Sequence, residues 1–218
     1  MQRVLQKIYL SLQSCLNCGS QVRISELLLC PDCQEKILFY SDQDQGIDRL
    51  SLYTWIPNRS SIVSRVVMNL KGHHYMFVYL AYADLLLERA KQKEIRISAD
   101  TIIVPAPPRR TGDRDHAHHL AEAISLRTGC VLALALERES AEMQKNLSRQ
   151  ERQKSQMKLH EKFTQDAVRG RGILFVDDII TTGATARAAW LALGSPKRFH
   201  IWTLANRSSL AEKPPLLV

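Results

Sequence analysis

The stretch Ile173-Leu174-Phe175-Val176-Asp177-Asp178-Ile179-Ile180-Thr181-Thr182-Gly183-Ala184-Thr185 narrows the choice of fold more than any other part of the chain. Its first four residues are apolar, β-branched or aromatic, and predict a short buried strand. Two adjacent acids are expected to end that strand and to face whatever lies beyond its carboxyl end. A small hydroxyl-bearing loop follows, and Ala184 to Leu193 has good helix formers and no breaker. Strand, loop and helix in this order can gather backbone N–H groups, Thr hydroxyls and a helix dipole onto one anion. Gly183 would let the backbone approach a phosphate closely. The acids would repel a phosphate, but as hydrogen-bond acceptors they suit the vicinal hydroxyls of a ribose beside it. The plainer alternative is an ordinary strand–turn–helix connection with two acids near the helix start.

The rest of the chain is consistent with an α/β fold. From Ile102 the order reads strand (Ile102-Ile103-Val104), helix (Asp113 to Thr128), strand (Val131 to Leu136), long polar loop, motif strand, motif helix and a last strand (Phe199 to Ala205). Such alternation gives a parallel sheet with helices on both faces, and ligands of such sheets sit beyond the carboxyl ends of the strands. Pro105-Ala106-Pro107-Pro108 ends the first of these strands and leads to Arg109-Arg110, two cations expected at the same edge as the motif loop. Upstream, Leu50 to Ile56 reads as a strand, and Ile62, Val63, Val66, Val67 and Leu70 recur at helical spacing before Lys71-Gly72. Met76 to Ile95 reads as a long apolar helix, and Gln34 to Arg49 as a polar linker.

Four cysteines stand in two C-x-x-C pairs, Cys15/Cys18 and Cys30/Cys33. In a chain without a recognisable secretion signal this pattern indicates zinc rather than disulfides, with four thiolates closing a tetrahedral structural site. The expected organisation is a zinc-binding segment over residues 1–40 and an α/β domain over residues 50–210. Cys130 stands apart and is expected to be a buried thiol.

No apolar run is long enough to span a bilayer, and Met1 to Leu12 lacks the unbroken core of a signal peptide, so a cytoplasmic location is expected. A net charge of +8 favours polyanionic partners, either phosphorylated small molecules or nucleic acid. The region from Arg138 to Lys162 is long, hydrophilic and basic. It reads as a solvated helix, as a flap over a ligand, or as a track for nucleic-acid phosphates through Arg149, Arg152 and Lys154. His116, His118 and His119 lack the spacing of a metal site on one helix face and are expected to face solvent or a phosphate.

The Asp177–Thr185 loop resembles the phosphoribosyl pyrophosphate (PRPP) loop of type I phosphoribosyltransferases. With the two C-x-x-C pairs, Lys71-Gly72, Val104-Pro105 with Arg109-Arg110, and Leu147-Ser148-Arg149-x-x-Arg152, nearly the whole chain is similar to the ComF family of competence-associated proteins. Two pieces depart from that pattern. Arg114 is followed by Asp115-His116-Ala117-His118 where the family carries R-G-F-N-Q, and Ser155 or Gln156 stands where an Asn is usual. The resemblance implies a type I phosphoribosyltransferase-like parallel sheet with helices on both faces and a small N-terminal zinc ribbon or knuckle. It further implies that Asp177 and Asp178 bind ribose, that Thr181, Thr182, Gly183, Ala184 and Thr185 hold the 5′-phosphate, and that Arg109 and Arg110 face the pyrophosphate. Implied cofactors are structural Zn²⁺ on Cys15, Cys18, Cys30 and Cys33, and Mg²⁺ with PRPP. The implied function is a PRPP-binding competence protein that handles single-stranded DNA alongside other competence proteins during natural transformation. The alternative is an active phosphoribosyltransferase of unknown acceptor, for no residue can be named that would recognise an acceptor base.

Overall fold

In this computed structural model, which describes residues 15, 17–22, 29–34, 49–55, 62–70, 76–108, 115–138 and 157–207, β-branched and aromatic runs form seven strands. They are β1 (Arg49–Trp55), β2 (Ile102–Pro105), β3 (Val131–Leu132), β4 (Leu136–Arg138), β5 (Met157–Leu159), β6 (Ile173–Ile180) and β7 (Phe199–Arg207). The helices among the described residues are α1 (Pro31–Gln34), α2 (Ile62–Leu70), α3 (Met76–Gln92), α4 (His116–Thr128), α5 (Gln165–Val168) and α6 (Ala184–Ala192). Five strands make one sheet in the order β1-β7-β6-β2-β3, every neighbouring pair parallel. The motif strand β6 is therefore central, flanked by β7 and β2. Strands β4 and β5 pair antiparallel in a separate two-stranded sheet.

Both faces of the sheet are covered, which is why its strands read as continuous apolar runs rather than as alternation. Leu174, Val176, Ile103 and Trp202 pack into one cluster with Tyr79, Tyr82 and Leu86 of α3 and Leu120 and Ile124 of α4. Ile173, Phe175, Val104 and Ile201 face the other way, toward Ala186 and Ala189 of α6. Phe175 stacks on Phe199 with ring centroids 6.0 Å apart. Removing such a buried ring costs about 3–5 kcal/mol, so the motif strand is held firmly from beneath.

Several boundaries differ from the expected ones. Strand β6 does not stop at Val176 but runs through both acids to Ile180, because Ile179 and Ile180 continue the ladder opposite Ala205 and Asn206. Val131 to Leu136 is not one strand. Val131–Leu132 pairs with β2, and Leu136 begins β4. The polar region after Arg138 carries β5 at its far end, and the short helix α5 follows. Helix α4 starts at His116, with Asp115 as N-cap accepting from the His118 N–H. Arg49 opens β1 instead of closing the linker. Arg109, Arg110, Arg149, Arg152, Lys154 and Lys71-Gly72 lie outside the described residues.

Candidate functional site

Parallel pairing brings the carboxyl ends of β6 and β2 together. The Ala106 N–H donates to the Val176 carbonyl at 2.8 Å, so the segment leaving β2 starts beside the acids of β6. Arg138, at the end of β4, donates through Nε to the Pro107 carbonyl at 3.1 Å and ties the base of the two-stranded arm to that segment.

Asp177 and Asp178 are adjacent in the strand and have different surroundings. Asp177 lines a small cavity with Phe175, Thr181, Gly183, Thr185 and Thr203, on the face covered by α6. That cavity, about 20 Å³, has room for a single water. Burial pushes the Asp177 carboxyl well above the ordinary carboxylate range, and the neighbouring charge of Asp178 adds to this. Asp178 shares its electrostatic environment with Asp115 and Tyr79, near the start of α4. Asp115 is raised too, chiefly by burial and then by Asp178. Each acid of the pair accepts the next residue's N–H, Asp178 N–H to Asp177 Oδ1 at 2.9 Å and Ile179 N–H to Asp178 Oδ1 at 2.7 Å.

Gly183 is left-handed (φ 75°) and caps α6 without a side-chain hydrogen bond of its own. Thr182 Oγ1 accepts from the Ala184 N–H at 3.3 Å, and Thr181, Thr182 and Ala184 are exposed. A Cβ on Gly183 would meet nothing closer than Arg49 Nη2 at 3.6 Å and Ile180 Cδ1 at 4.0 Å. Glycine is thus required by the backbone angle, not by crowding. Arg49 is a residue that sequence reasoning missed. It sits at the start of an edge strand, and only the sheet order β1-β7-β6 carries its guanidinium to the motif loop.

The histidines are half-buried rather than fully solvent-facing. His118 and His119 are only 12% and 13% exposed, and both approach Glu122, at 3.9 and 3.8 Å. His116 Nδ1 lies 2.9 Å from the hydroxyl of Tyr79, whose pKa burial and the nearby Asp115 and Asp178 push up to about 12. Tyr79 of α3 packs on the His119 ring and lies beside His116, and His118 packs edge-on against His119.

The four cysteines come together as expected, with their Sγ atoms all within 4.8 Å of one another. Gly19 adopts φ 79°, its N–H donates to the Cys15 carbonyl at 2.9 Å, and the Cys33 N–H donates to the Cys30 carbonyl at 2.9 Å. Both C-x-x-C turns thus aim their thiols toward one another, and this donor set could hold a thiophilic metal ion. Hydrogen bonds to the Ser20 side chain and backbone hold the Cys18 thiol down to about 6. Cys130 is buried, as expected. It lines a larger open groove of about 650 Å³ with Leu87, Ile95, Ile97 and Trp202, near the amino ends of β2 and β3 and away from the acids. Among the described residues no helix is long and apolar enough to cross a membrane.

No protein-family model matches this chain, and no curated protein does. Among solved structures it is similar to one titled as the allosteric regulatory enzyme of purine biosynthesis. The match has 17% identity and a TM-score of 0.33, and covers 59% of this chain. It takes in 26% of that enzyme, so the matched part of this chain spans about a quarter of its length. A likeness this distant carries no functional argument. The fold rests on the parallel registers themselves.

Proposed function

We propose that the carboxyl edge of the sheet binds PRPP together with Mg²⁺, as in a type I phosphoribosyltransferase, and that the four cysteines hold a structural Zn²⁺. One observation carries the PRPP reading. A central strand delivers two adjacent acids, one with its carboxyl raised by burial, directly to a hydroxyl-bearing loop, a left-handed glycine and a helix N-terminus whose cap residue has no side chain. Phosphate oxygens suit the N–H groups and Thr hydroxyls of residues 181–185. Ribose hydroxyls are donors and suit Asp178 and Asp177, which can only accept when ionised. Three carboxyl groups, Asp115, Asp177 and Asp178, cluster at this edge, and that local concentration of acids favours a ligand that brings a cation. Mg²⁺, when bound, would neutralise charge on the pyrophosphate. Arg109 and Arg110 would do the same from the segment that starts at Ala106.

The biological role we propose is that of a PRPP-binding competence protein of the ComF type, acting on single-stranded DNA through Arg149, Arg152 and Lys154. The net charge of +8 supports a polyanionic partner. Transfer of the phosphoribosyl group to an acceptor is the alternative. PRPP and Mg²⁺ offered with a panel of purine and pyrimidine bases separate the two. The binding role predicts no pyrophosphate above the protein-free background, and steady pyrophosphate release with any one base would establish the enzyme instead.

A further inference from the structure

The cysteine centre is packed into the α/β core. Cys15, Cys30 and Cys33 belong to the same apolar cluster as Tyr82 of α3 and Val63 and Val66 of α2. One polar chain crosses the same boundary. Asn17, inside the first C-x-x-C pair, donates through Nδ2 to Sγ of Cys33 in the second pair, at 3.0 Å. Its Oδ1 accepts from Nε of Arg65, on α2. Helix α2 is in turn fastened to the carboxyl end of β1, where Trp55 Nε1 donates to Ser64 Oγ at 2.8 Å. The Arg207 guanidinium covers the Trp55 ring at 5.7 Å.

We infer that Asn17 and Arg65 are positioning residues for a metal ion held by the four cysteines, and that through them the state of that centre is transmitted to α2 and the carboxyl edge of the sheet. The inference rests on reading the cysteines as a thiophilic metal site; it does not depend on PRPP.

The chemistry follows from charge. Thiols must lose their protons to bind Zn²⁺, and four thiolates around a divalent ion leave excess negative charge on the sulfurs. N–H donors to those sulfurs spread that charge and fix the ligand geometry. Asn17 supplies one such donor, and Arg65 strengthens it twice over. Its cation polarises the Asn17 amide through Oδ1, which makes the opposite N–H a better donor, and it brings positive charge toward an anionic centre. Metal loss frees the Cys33 sulfur from the fixed position that Asn17 meets, so the hold on Arg65 and α2 slackens when the metal leaves.

The experiment uses the full chain loaded with Zn²⁺ or Co²⁺, as wild type, Asn17→Ala, Arg65→Ala and the double variant. Each single variant should release Zn²⁺ to a chromophoric chelator on the order of tenfold to a hundredfold faster than wild type. The double variant should be no worse than about twice the weaker single one, because both act through one chain of hydrogen bonds. The thiolate-to-cobalt charge-transfer band should shift in Asn17→Ala, a signature that a mere docking contact would not move. Amide exchange across α2 should be slower in the metal-loaded wild type than after chelation, with that difference lost in Arg65→Ala. Asn17→Asp keeps the side-chain shape but replaces the donor with an acceptor, and gives the same test if Asn17→Ala fails to fold. Release rates and cobalt bands equal to wild type in both singles would overturn the positioning role. Exchange in α2 that ignores metal loading would overturn the transmission, and wild-type protein that takes up neither ion would overturn the whole proposal.

Discussion

The Ala106 N–H and the Val176 carbonyl, 2.8 Å apart, fix the relation between the two segments that meet at the proposed ligand edge. Val176 immediately precedes the acid pair, and Ala106 opens the run that leads to Arg109 and Arg110. Pro107 and Pro108 have no N–H to extend the ladder, so the chain must leave the sheet there, next to Asp177.

From this adjacency, Arg109→Ala should weaken PRPP binding about tenfold or more while leaving ribose 5-phosphate nearly unchanged, since one charge-assisted contact contributes roughly 1.5–3 kcal/mol. Only PRPP carries the pyrophosphate. Parallel titrations of the two ligands check it, and an equal loss for both would assign Arg109 to the sugar phosphate instead.

Asp177 links the site to stability. Its carboxyl is raised by burial and then by Asp178, so the folded chain keeps a proton that the unfolded chain has already released. That contribution is fully present below the unfolded value of about 4 and is lost as pH rises through the higher folded value. Asp177→Asn removes the ionising group. Without ligand, the variant should melt a few degrees higher than wild type at neutral pH, about 2–4 °C per kcal/mol for a chain of this size, and should lose the corresponding pH slope. Melting curves from pH 4 to 8 test this, and a lower Tm for the variant at pH 7 would contradict it.

At the other end of the loop two substitutions should part company. Thr182→Val deletes an exposed hydroxyl and should reduce ribose 5-phosphate binding with little change in Tm. Gly183→Val has space for its Cβ but must hold φ near 75°, at a cost of about 1–2 kcal/mol, and so should lose both binding and stability. Calorimetry beside thermal melts separates them.

Single-stranded DNA binding should fall steeply with salt, because each Lys or Arg contact releases counterions. Replacing Arg149, Arg152 and Lys154 with Ala should flatten that slope by up to about 2, near 0.7 per phosphate contact on a single strand. Retained affinity and slope in a mobility assay would take this segment off the DNA surface.

Much of this architecture was legible because its signals are local. The apolar run of β6, the glycine before α6 and the paired cysteines each declare themselves within a dozen residues. What stayed hidden depends on long-range pairing. Nothing in Met157-Lys158-Leu159 marks it as a strand until it pairs with Leu136–Arg138, where Lys158 and Glu137 also form an ion pair at 2.8 Å. The extension of β6 through two acids is possible because β7 offers a matching ladder opposite Asp177, Ile179 and Ile180. Arg49 and the Asn17–Arg65 contact join residues far apart in sequence, so no local pattern announces them. The histidines of α4 look polar in sequence, yet α3 and Glu122 enclose them.

The most direct test is calorimetric titration of PRPP with Mg²⁺ into the wild type and Asp178→Asn. Asn keeps the side-chain oxygen that accepts from the Ile179 N–H, so the strand should remain intact. It loses the charge and one acceptor, and a charge-assisted hydrogen bond contributes roughly 1.5–3 kcal/mol. The account predicts saturable binding to the wild type, and a folded variant that binds on the order of tenfold to a hundredfold more weakly. Absence of heat and of any thermal shift for the wild type in millimolar PRPP and Mg²⁺ would contradict it, as would equal affinity in the two proteins.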